Sequence, residues 1–219
     1  MAGRREEQRV RDLLAEIERK FPPPPSELTL APEIRLLEAG EELWRIYFQG
    51  GRHPTGWSFF RSFGPTTSRF DHHLAESPER RILYAAPEVV TCLAEVFQEP
   101  RIIDREARAP WLVGFRLARP LALLDLTGTW PTRVGASMAI GSGPRPRAQR
   151  WSRAIYASYP EIDGVYYSSS MHANRPAVAL YERAEDALPG APTFHRPLRD
   201  PALLEALKKA AIQLGYELV

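Results

Sequence analysis

The sequence predicts an α+β fold with a mixed, mostly antiparallel sheet core, flanking helices and an N-terminal helical arm. Short β-branched and aromatic runs, which are typical of strands, alternate with segments of helical periodicity. These elements lack the regular strand–helix–strand rhythm of a parallel sheet. The chain has 219 residues, of which 44% are hydrophobic, so it can bury a core without a metal or a disulfide.

The first 40 residues are predicted to form a segment apart from the main domain, which we place at residues 41–219. Residues 3–20 carry apolar side chains at helical spacing, namely Val10, Leu13, Leu14 and Ile17. The run Phe21-Pro22-Pro23-Pro24-Pro25 ends this helix and forms a stiff spacer, because proline cannot continue a helix. The helix is compatible with two roles: an arm for a partner or a second copy, or an element packed on its own domain.

The main domain is predicted element by element from its patterns. Strands are expected at residues 43–48, 82–85, 111–117, 121–126, 164–167 and 177–181. Helices are expected from Pro87 to about residue 98, at 147–159, and after the cap and first turn at Asp200 and Pro201. Residues 50–80 and 129–146 are predicted to be long loops, and aromatic residues throughout the first indicate that it is ordered.

Composition excludes several classes of protein. The 29 basic and 27 acidic residues leave a net charge of only +2, which does not favour nucleic-acid binding. No apolar run is long enough for a membrane span, and the charged N-terminus does not resemble a signal peptide. A cytoplasmic protein that does not interact with membranes is therefore expected. The single cysteine excludes an internal disulfide framework.

Three short motifs lack the surrounding residues that the sites they suggest would need, and one common signature is absent. The glycine-rich residues 141–145 lack the Lys-Ser/Thr of a P-loop, and no G-x-G-x-x-G follows a strand. The adjacent pair His72-His73 has no further ligands at metal-binding spacing, so no metal site is predicted. The serine run 168–170 lacks the G-x-S-x-G setting of a hydrolase nucleophile.

Four segments, in this order along residues 43–183, together carry a family resemblance. They are Leu43-Trp44-Arg45-Ile46-Tyr47; Phe63-Gly64-Pro65 with Ser68-Arg69-Phe70-Asp71; Ile82-Leu83-Tyr84-Ala85-Ala86 running into Cys92-Leu93-Ala94-Glu95-Val96-Phe97; and Asp163-Gly164-Val165-Tyr166-Tyr167-Ser168-Ser169-Ser170 with Asn174 and Val178-Ala179-Leu180-Tyr181. The segments resemble the RES domain family, which is named for its Arg, Glu and Ser.

The resemblance implies a fold similar to that of ADP-ribosyltransferases, with a cleft that holds NAD+ as substrate and no resident cofactor. Characterised RES proteins are toxins of toxin–antitoxin modules that deplete NAD+ by hydrolysis or phosphorolysis, and an antitoxin protein blocks them. The resemblance makes an antitoxin a candidate partner, and the N-terminal helix makes a second copy of the chain another. The resemblance assigns the two family arginines to Arg45 and Arg69, the tyrosine to Tyr84 and the glutamate to Glu95. The serine is assigned to Ser169, with Ser168 and Ser170 as alternatives.

The chemistry of NAD+ cleavage fits these residue types. Arginine matches phosphate oxygens with two parallel donors, so Arg45 and Arg69 are candidates for holding the pyrophosphate. Tyrosine can stack on a ring and bond a polar group, and a carboxylate such as Glu95 can stabilise positive charge on the ribose. The predicted catalytic residues are Glu95, Arg69, Tyr84 and Ser169, and the predicted substrate-binding residues are Arg45, Arg69, Tyr84, Tyr47 and His172.

Three functions are compatible with this sequence. The leading one is cleavage of NAD+ with release of nicotinamide by a glycohydrolase or phosphorylase. The second is transfer of ADP-ribose to a protein side chain. The third is a non-catalytic module that binds a nucleotide or a partner, an alternative kept open by the N-terminal helix and the arginine-rich residues 145–153.

Overall fold

The computed structural model describes residues 6–9, 16, 19–62, 68–74 and 79–219. In these residues the strands form three sheets, with the orders β1-β6-β7-β8-β3, β2-β5-β9 and β10-β4. The strands are β1 Ile34–Leu37, β2 Glu42–Phe48, β3 Ile82–Ala85, β4 Ile102–Ile103, β5 Pro110–Arg116, β6 Leu121–Asp125, β7 Gly164–Ser168, β8 Pro176–Tyr181, β9 Phe194–Pro197 and β10 Glu217–Leu218.

The pairing of the strands is mostly antiparallel. Only the β6–β7 and β4–β10 pairs are parallel among the strand pairs of the described residues. The predicted fold class is thus confirmed, and each of the six predicted strands is present within a residue or so of its expected bounds. Four strands were not predicted: β1, β4, β9 and β10. Two of them are only two residues long, which is too short for any alternation to appear in the sequence.

The α-helices are α1 Val89–Val96, α2 Trp130–Arg133, α3 Arg145–Ser158 and α4 Leu204–Leu214. Short 3₁₀ helices cover Met138–Ile140, Glu182–Ala187 and Pro201–Leu203. None of the helices in the described part of the chain has the length and apolar character needed to cross a membrane.

Two helix predictions need correction. The helix expected to start at Pro87 begins at Val89, because Glu88 keeps an extended backbone and takes the N-cap position. The expected loop at 129–146 contains α2 and a 3₁₀ helix, and α3 already begins at Arg145. Both α-helices have proline in the first turn, where its missing N–H costs nothing, so these prolines start helices within the predicted loop.

The five-stranded and three-stranded sheets meet at Trp44 of β2 and Ala86, which directly follows β3. Each residue donates its backbone N–H to the carbonyl of the other, at 2.8 and 2.9 Å. The thiol of Cys92 on α1 donates to the same Trp44 carbonyl at 3.0 Å. A Cβ at Gly114 of β5 would lie 2.8 Å from the Trp44 ring, so this glycine makes room for the indole. The joint brings β2, β3 and α1 together.

The proline run that was predicted to be a spacer lies against α3. Phe21 is 1% exposed and belongs to the main core, and its carbonyl accepts from the Arg147 guanidinium at 2.9 Å. The Trp151 indole donates to the Pro22 carbonyl at 2.9 Å, and the Tyr159 hydroxyl donates to Leu30 at 2.7 Å. Residues 6–9, 16, 19 and 20 are helical. The predicted apolar face of this helix lies outside the described residues.

Candidate functional site

A cavity of about 830 Å³ opens beside the joint of the two sheets. This volume is in the range of pockets that hold small molecules and cofactors. Five of the residues predicted for the site lie on its wall: Arg45, Tyr47, Arg69, Tyr84 and Glu95. They come from β2, β3, α1 and the loop between β2 and β3, so the fold brings distant segments to one cavity.

Glu95 is a half-buried carboxylate on α1 at the cavity wall. Its Oε1 accepts a hydrogen bond from the Ser169 hydroxyl at 2.5 Å. Burial raises the pKa of Glu95, and the Ser169 hydrogen bond and the charges of Arg69 and Arg145 act in the opposite direction. Among the described residues, Ser169 is the one hydrogen-bond donor that reaches this carboxylate. Glu95 therefore keeps acceptor capacity for a ligand in the cavity.

Ser169 is the member of the serine run that contacts Glu95. It is fully buried behind the cavity wall, and its Oγ accepts the backbone N–H groups of Met171 and His172, each at 3.2 Å. These two bonds orient the hydroxyl proton towards Glu95. Ser168 is the last residue of β7, and Ser170 lies on the cavity wall.

Arg45 projects from β2 into the wall of the cavity. Its Nη1 donates to the carbonyls of Trp57 and Phe59, at 2.8 and 3.1 Å, which fixes the course of the loop after β2. Burial lowers the pKa of Arg45 to about 10, so the guanidinium still carries its charge at neutral pH. No carboxylate in the described part of the chain pairs with it. The charge of Arg45 is thus left for a ligand.

Arg69 is held next to Glu95 by the glycine-rich segment before α3. Its Nη1 donates to the Gly143 carbonyl at 2.6 Å. Burial lowers the pKa of Arg69, the nearby Arg145 lowers it further, and Glu95 raises it. The glycine-rich segment, which lacks the residues of a P-loop, therefore positions the guanidinium group of Arg69. The Phe63-Gly64-Pro65 part of the resemblance lies outside the described residues.

Tyr84 joins a buried network centred on Asp71, which is 0% exposed. The Tyr84 hydroxyl donates to Asp71 Oδ1 at 3.0 Å and accepts the Phe70 N–H at 3.0 Å. Arg61 Nη2 lies 2.7 and 2.6 Å from the two carboxylate oxygens, and the Ser68 N–H donates at 3.0 Å. Both uses of the Tyr84 hydroxyl are internal, so it is the ring that Tyr84 offers to the cavity.

Tyr47 and His172 differ in their access to the cavity. Tyr47 lies on the wall, and its hydroxyl bonds His195 Nε2 at 2.5 Å and Gln49 Nε2 at 2.9 Å. His172 is buried between Thr91 and Gln213, with its ring nitrogens 2.9 and 3.1 Å from their side chains. It is not on the cavity wall. The structure thus places His172 apart from the other predicted site residues, between α1 and α4.

Sequence reasoning missed several polar residues of the site, including four charged ones. Arg61, Arg108 and Arg145 line the cavity, and Asp71 anchors the network behind it. Asp71 belongs to the second of the four segments that carry the family resemblance, and this was the signal that could have identified it as a site residue. The three arginines lie among many others in loops or at a helix start, where no periodicity distinguishes a cavity arginine from a solvated one.

No three His, Cys, Asp or Glu side chains in the described residues lie close enough together to hold a metal ion. His72 and His73 are both buried. The His72 ring packs against Tyr156 and Tyr181, each with its centroid 4.5 Å away, and its Nε2 lies 3.6 Å from Glu182. His72 thus has a place in the core away from the cavity.

Comparison with known proteins gives two matches. The model of the RES domain matches residues 42–200, which include every residue of the site described above. A chain of the MbcT–MbcA toxin–antitoxin complex of M. tuberculosis, solved by crystallography, superposes with a TM-score of 0.55 at 20% sequence identity. The superposition covers 80% of this chain and 92% of that chain. At this identity the match shows a shared fold. A comparison with curated protein sequences finds no match.

Proposed function

Because the chain belongs to the RES domain family, we propose that it is an enzyme that cleaves the bond between nicotinamide and ribose in NAD+. The observation that carries the proposal is that Glu95, Arg45 and Arg69 lie on one cavity wall, where neither arginine forms an ion pair with a carboxylate of the described residues. Two guanidinium groups suit a pyrophosphate, and a lone carboxylate suits a substrate that develops positive charge.

In the proposed reaction the C1′–N bond of the nicotinamide riboside breaks. Its electron pair moves to the ring nitrogen, so nicotinamide leaves as a neutral molecule and positive charge develops on the ribose. The Glu95 carboxylate, oriented by Ser169, stabilises this charge and accepts hydrogen bonds from the ribose hydroxyls. Arg45 and Arg69 hold the pyrophosphate, and the Tyr84 ring packs against the nicotinamide riboside. Water or phosphate then attacks C1′ and loses a proton to solvent.

The test is incubation of the purified protein with NAD+, with and without phosphate, while free nicotinamide and the ADP-ribose product are followed. Wild type is expected to release nicotinamide, and Glu95→Gln to lower kcat by about tenfold or more while the fold persists. Glu88→Gln is the matched control, because Glu88 is the partly exposed N-cap of the same helix and lies off the cavity wall. Full activity in Glu95→Gln would reject the catalytic assignment.

The same assay separates the other two functions. With NAD+ labelled in the adenosine half, label that stays on protein after denaturation would indicate ADP-ribosyl transfer. Saturable binding of NAD+ without any release of nicotinamide would indicate a non-catalytic module. Either result would replace the proposal, since hydrolysis or phosphorolysis of NAD+ releases both nicotinamide and the ADP-ribose product from the protein.

We extend the proposal to toxicity, which the toxin–antitoxin complex among the similar structures suggests. Expression in the bacterial cytoplasm is expected to lower cellular NAD+ and stop growth, and Glu95→Gln is expected to do neither. A partner that covers the cavity would act as antitoxin. Growth arrest by Glu95→Gln equal to that by wild type, at equal protein level, would separate toxicity from NAD+ loss and contradict this extension.

A further inference from the structure

Arg108 is a cavity-wall guanidinium at some distance from Glu95. It precedes β5 and lies over the ring of Phe48 at the end of β2, with its Cζ 3.8 Å from the ring centroid. Phe48 follows Arg45 by three residues on the same strand, a separation of about 10 Å at the rise of a β-strand. The cavity wall thus carries Arg69 and Arg145, whose charges act on Glu95, and in addition Arg108 at the end of β2.

The backbone around Arg108 is shaped to hold this side chain. Arg108 and Ala109 both have positive φ, at 62° and 47°, and two consecutive non-glycine residues in this region cost free energy. The Gly50 N–H donates to the Arg108 carbonyl at 2.9 Å. A Cβ at Gly51 would lie 3.2 Å from Arg108 Cγ, so this glycine lets the loop approach the arginine stem. Strain of this kind is found at ligand sites, where the surrounding structure maintains it.

Arg108 has no ion pair and its guanidinium donates no hydrogen bond within the described part of the chain. The other two arginines that line the cavity and were not predicted form side-chain hydrogen bonds: Arg61 with Asp71, and Arg145 with Glu99 and Gln98. Arg108 thus presents its donors and its full charge to the cavity. His53 and Thr55 lie on the same wall and add polar groups to this end, which we call the outer end and define by Phe48, Gly50, His53, Thr55 and Arg108.

A dinucleotide that places its nicotinamide ribose at Glu95 places its pyrophosphate next, at Arg45 and Arg69. In this orientation the adenosine half would extend along the same wall towards the outer end. Adenosine of NAD+ carries no charge, so it offers Arg108 no anionic partner. A phosphate on the adenosine ribose would be an anionic partner for Arg108, because two guanidinium donors can bind two oxygens of one phosphate.

We propose that the outer end is an anion subsite in which Arg108 binds a phosphate on the adenosine ribose, so that the enzyme prefers 2′-phosphorylated dinucleotide, NADP+, over NAD+. The inference rests on the proposed function for the orientation of the dinucleotide. Cleavage of NADP+ breaks the same C1′–N bond and releases the same neutral nicotinamide.

Binding of two ligands that cannot be cleaved tests the subsite without catalysis. Adenosine 2′,5′-bisphosphate and AMP differ only in the 2′-phosphate, and their Kd values are measured by calorimetry. The bisphosphate is expected to bind wild type at least tenfold more tightly, and Arg108→Ala to remove the difference. Arg52→Ala is the charge-matched control, because Arg52 is exposed on the loop after β2, next to the Gly51 that approaches Arg108, and lies off the cavity wall; it is expected to keep the difference.

The kinetic arm compares kcat/KM for NADP+ and NAD+. Arg108→Ala is expected to lower the NADP+ value by about tenfold and to leave the NAD+ value within about twofold. Equal binding of the two adenosine ligands to wild type, or no binding of either, would overturn the subsite. A loss in Arg108→Ala that is equal for both ligands would indicate that the guanidinium stacks on adenine or holds the pyrophosphate, and would also overturn it. Preference for the bisphosphate without cleavage of either dinucleotide would reject the proposed function and leave the subsite intact.

Discussion

Two carboxylates beside the same cavity have opposite surroundings. Asp71 is fully buried and accepts from Arg61, from the Tyr84 hydroxyl and from the Ser68 N–H. Glu95 is half-buried, and the Ser169 hydroxyl is the donor that it has among the described residues. The oxygens of Asp71 are occupied by these donors, so Asp71 orders the surrounding structure and is not available to bind a ligand. Glu95 accepts fewer hydrogen bonds than a carboxylate can, and its partial burial disfavours the charged form. Such an arrangement is typical of a group used for binding or catalysis.

The largest expected difference between the two carboxylates is in stability. Asp71→Asn is expected to lower the free energy of unfolding by about 3 kcal/mol, because it removes the buried negative charge that pairs with Arg61 and weakens the bonds to Tyr84 and Ser68. The figure is at the low end for a buried pair because the Arg61 side chain is 24% exposed. Urea denaturation measures it.

Glu95→Gln is the isosteric counterpart for this measurement. It is expected to change the unfolding free energy by less than about 1 kcal/mol, since the Ser169 hydroxyl can still donate to the amide oxygen. Comparable losses in the two variants would show that the two carboxylates are equally structural, and the distinction between them would fail.

The second difference concerns pH. Burial raises the pKa of Glu95 above its ordinary value of 4.5, and the carboxylate is the form that stabilises a cation. The rate should therefore fall as pH falls through this raised pKa, by about tenfold per pH unit below it. Nicotinamide release measured across pH would show this acid limb above the pH at which an exposed glutamate titrates.

Ser169→Ala sharpens the pH prediction. The Ser169 hydrogen bond lowers the pKa of Glu95, so its removal should move the acid limb to still higher pH. The residual activity of Glu95→Gln should lack the limb. An acid limb that Glu95→Gln retains, or one that Ser169→Ala moves to lower pH, would mean that another group titrates.

The smallest effect is expected for Tyr84→Phe. The hydroxyl lies between Asp71 and the Phe70 N–H, while the ring faces the cavity. Loss of the hydroxyl should cost about 1 kcal/mol of stability and change kcat by no more than about threefold. A loss of kcat by two orders of magnitude, in a variant of normal stability, would assign the hydroxyl to the chemistry and count against its structural role.

The strands of the site could be predicted because their β-branched and aromatic residues form short runs between turn residues. β2 and β3 were placed in this way, and with them Arg45 and Tyr84. Glu95 and Ser169 could be singled out only through the family resemblance, since a helical glutamate and a serine run are ordinary features. Their contact joins residues 74 apart in the chain and has no local signal.

Other parts of the site depend on loop geometry, which no periodic pattern encodes. Arg61 pairs with Asp71 within a segment that has no periodic pattern. The position of Arg108 depends on its left-handed backbone conformation, which the local sequence does not predict. The helices that begin at Trp130 and Arg145 were not predicted, because proline and glycine usually indicate that a helix is interrupted. At the first turn of a helix, proline has the opposite effect.

The two-hydrogen-bond joint between Trp44 and Ala86 has a consequence for how the cavity takes up a ligand. Arg45 is carried by one sheet; Tyr84 belongs to the other sheet, and Ser169 directly follows its strand β7. A small rotation of the sheets about this joint would change the separation of these groups in concert, without any change of rotamer. The amide protons of Trp44 and Ala86 are therefore natural reporters of cleft opening. Their hydrogen exchange is expected to slow when a dinucleotide bridges the sheets.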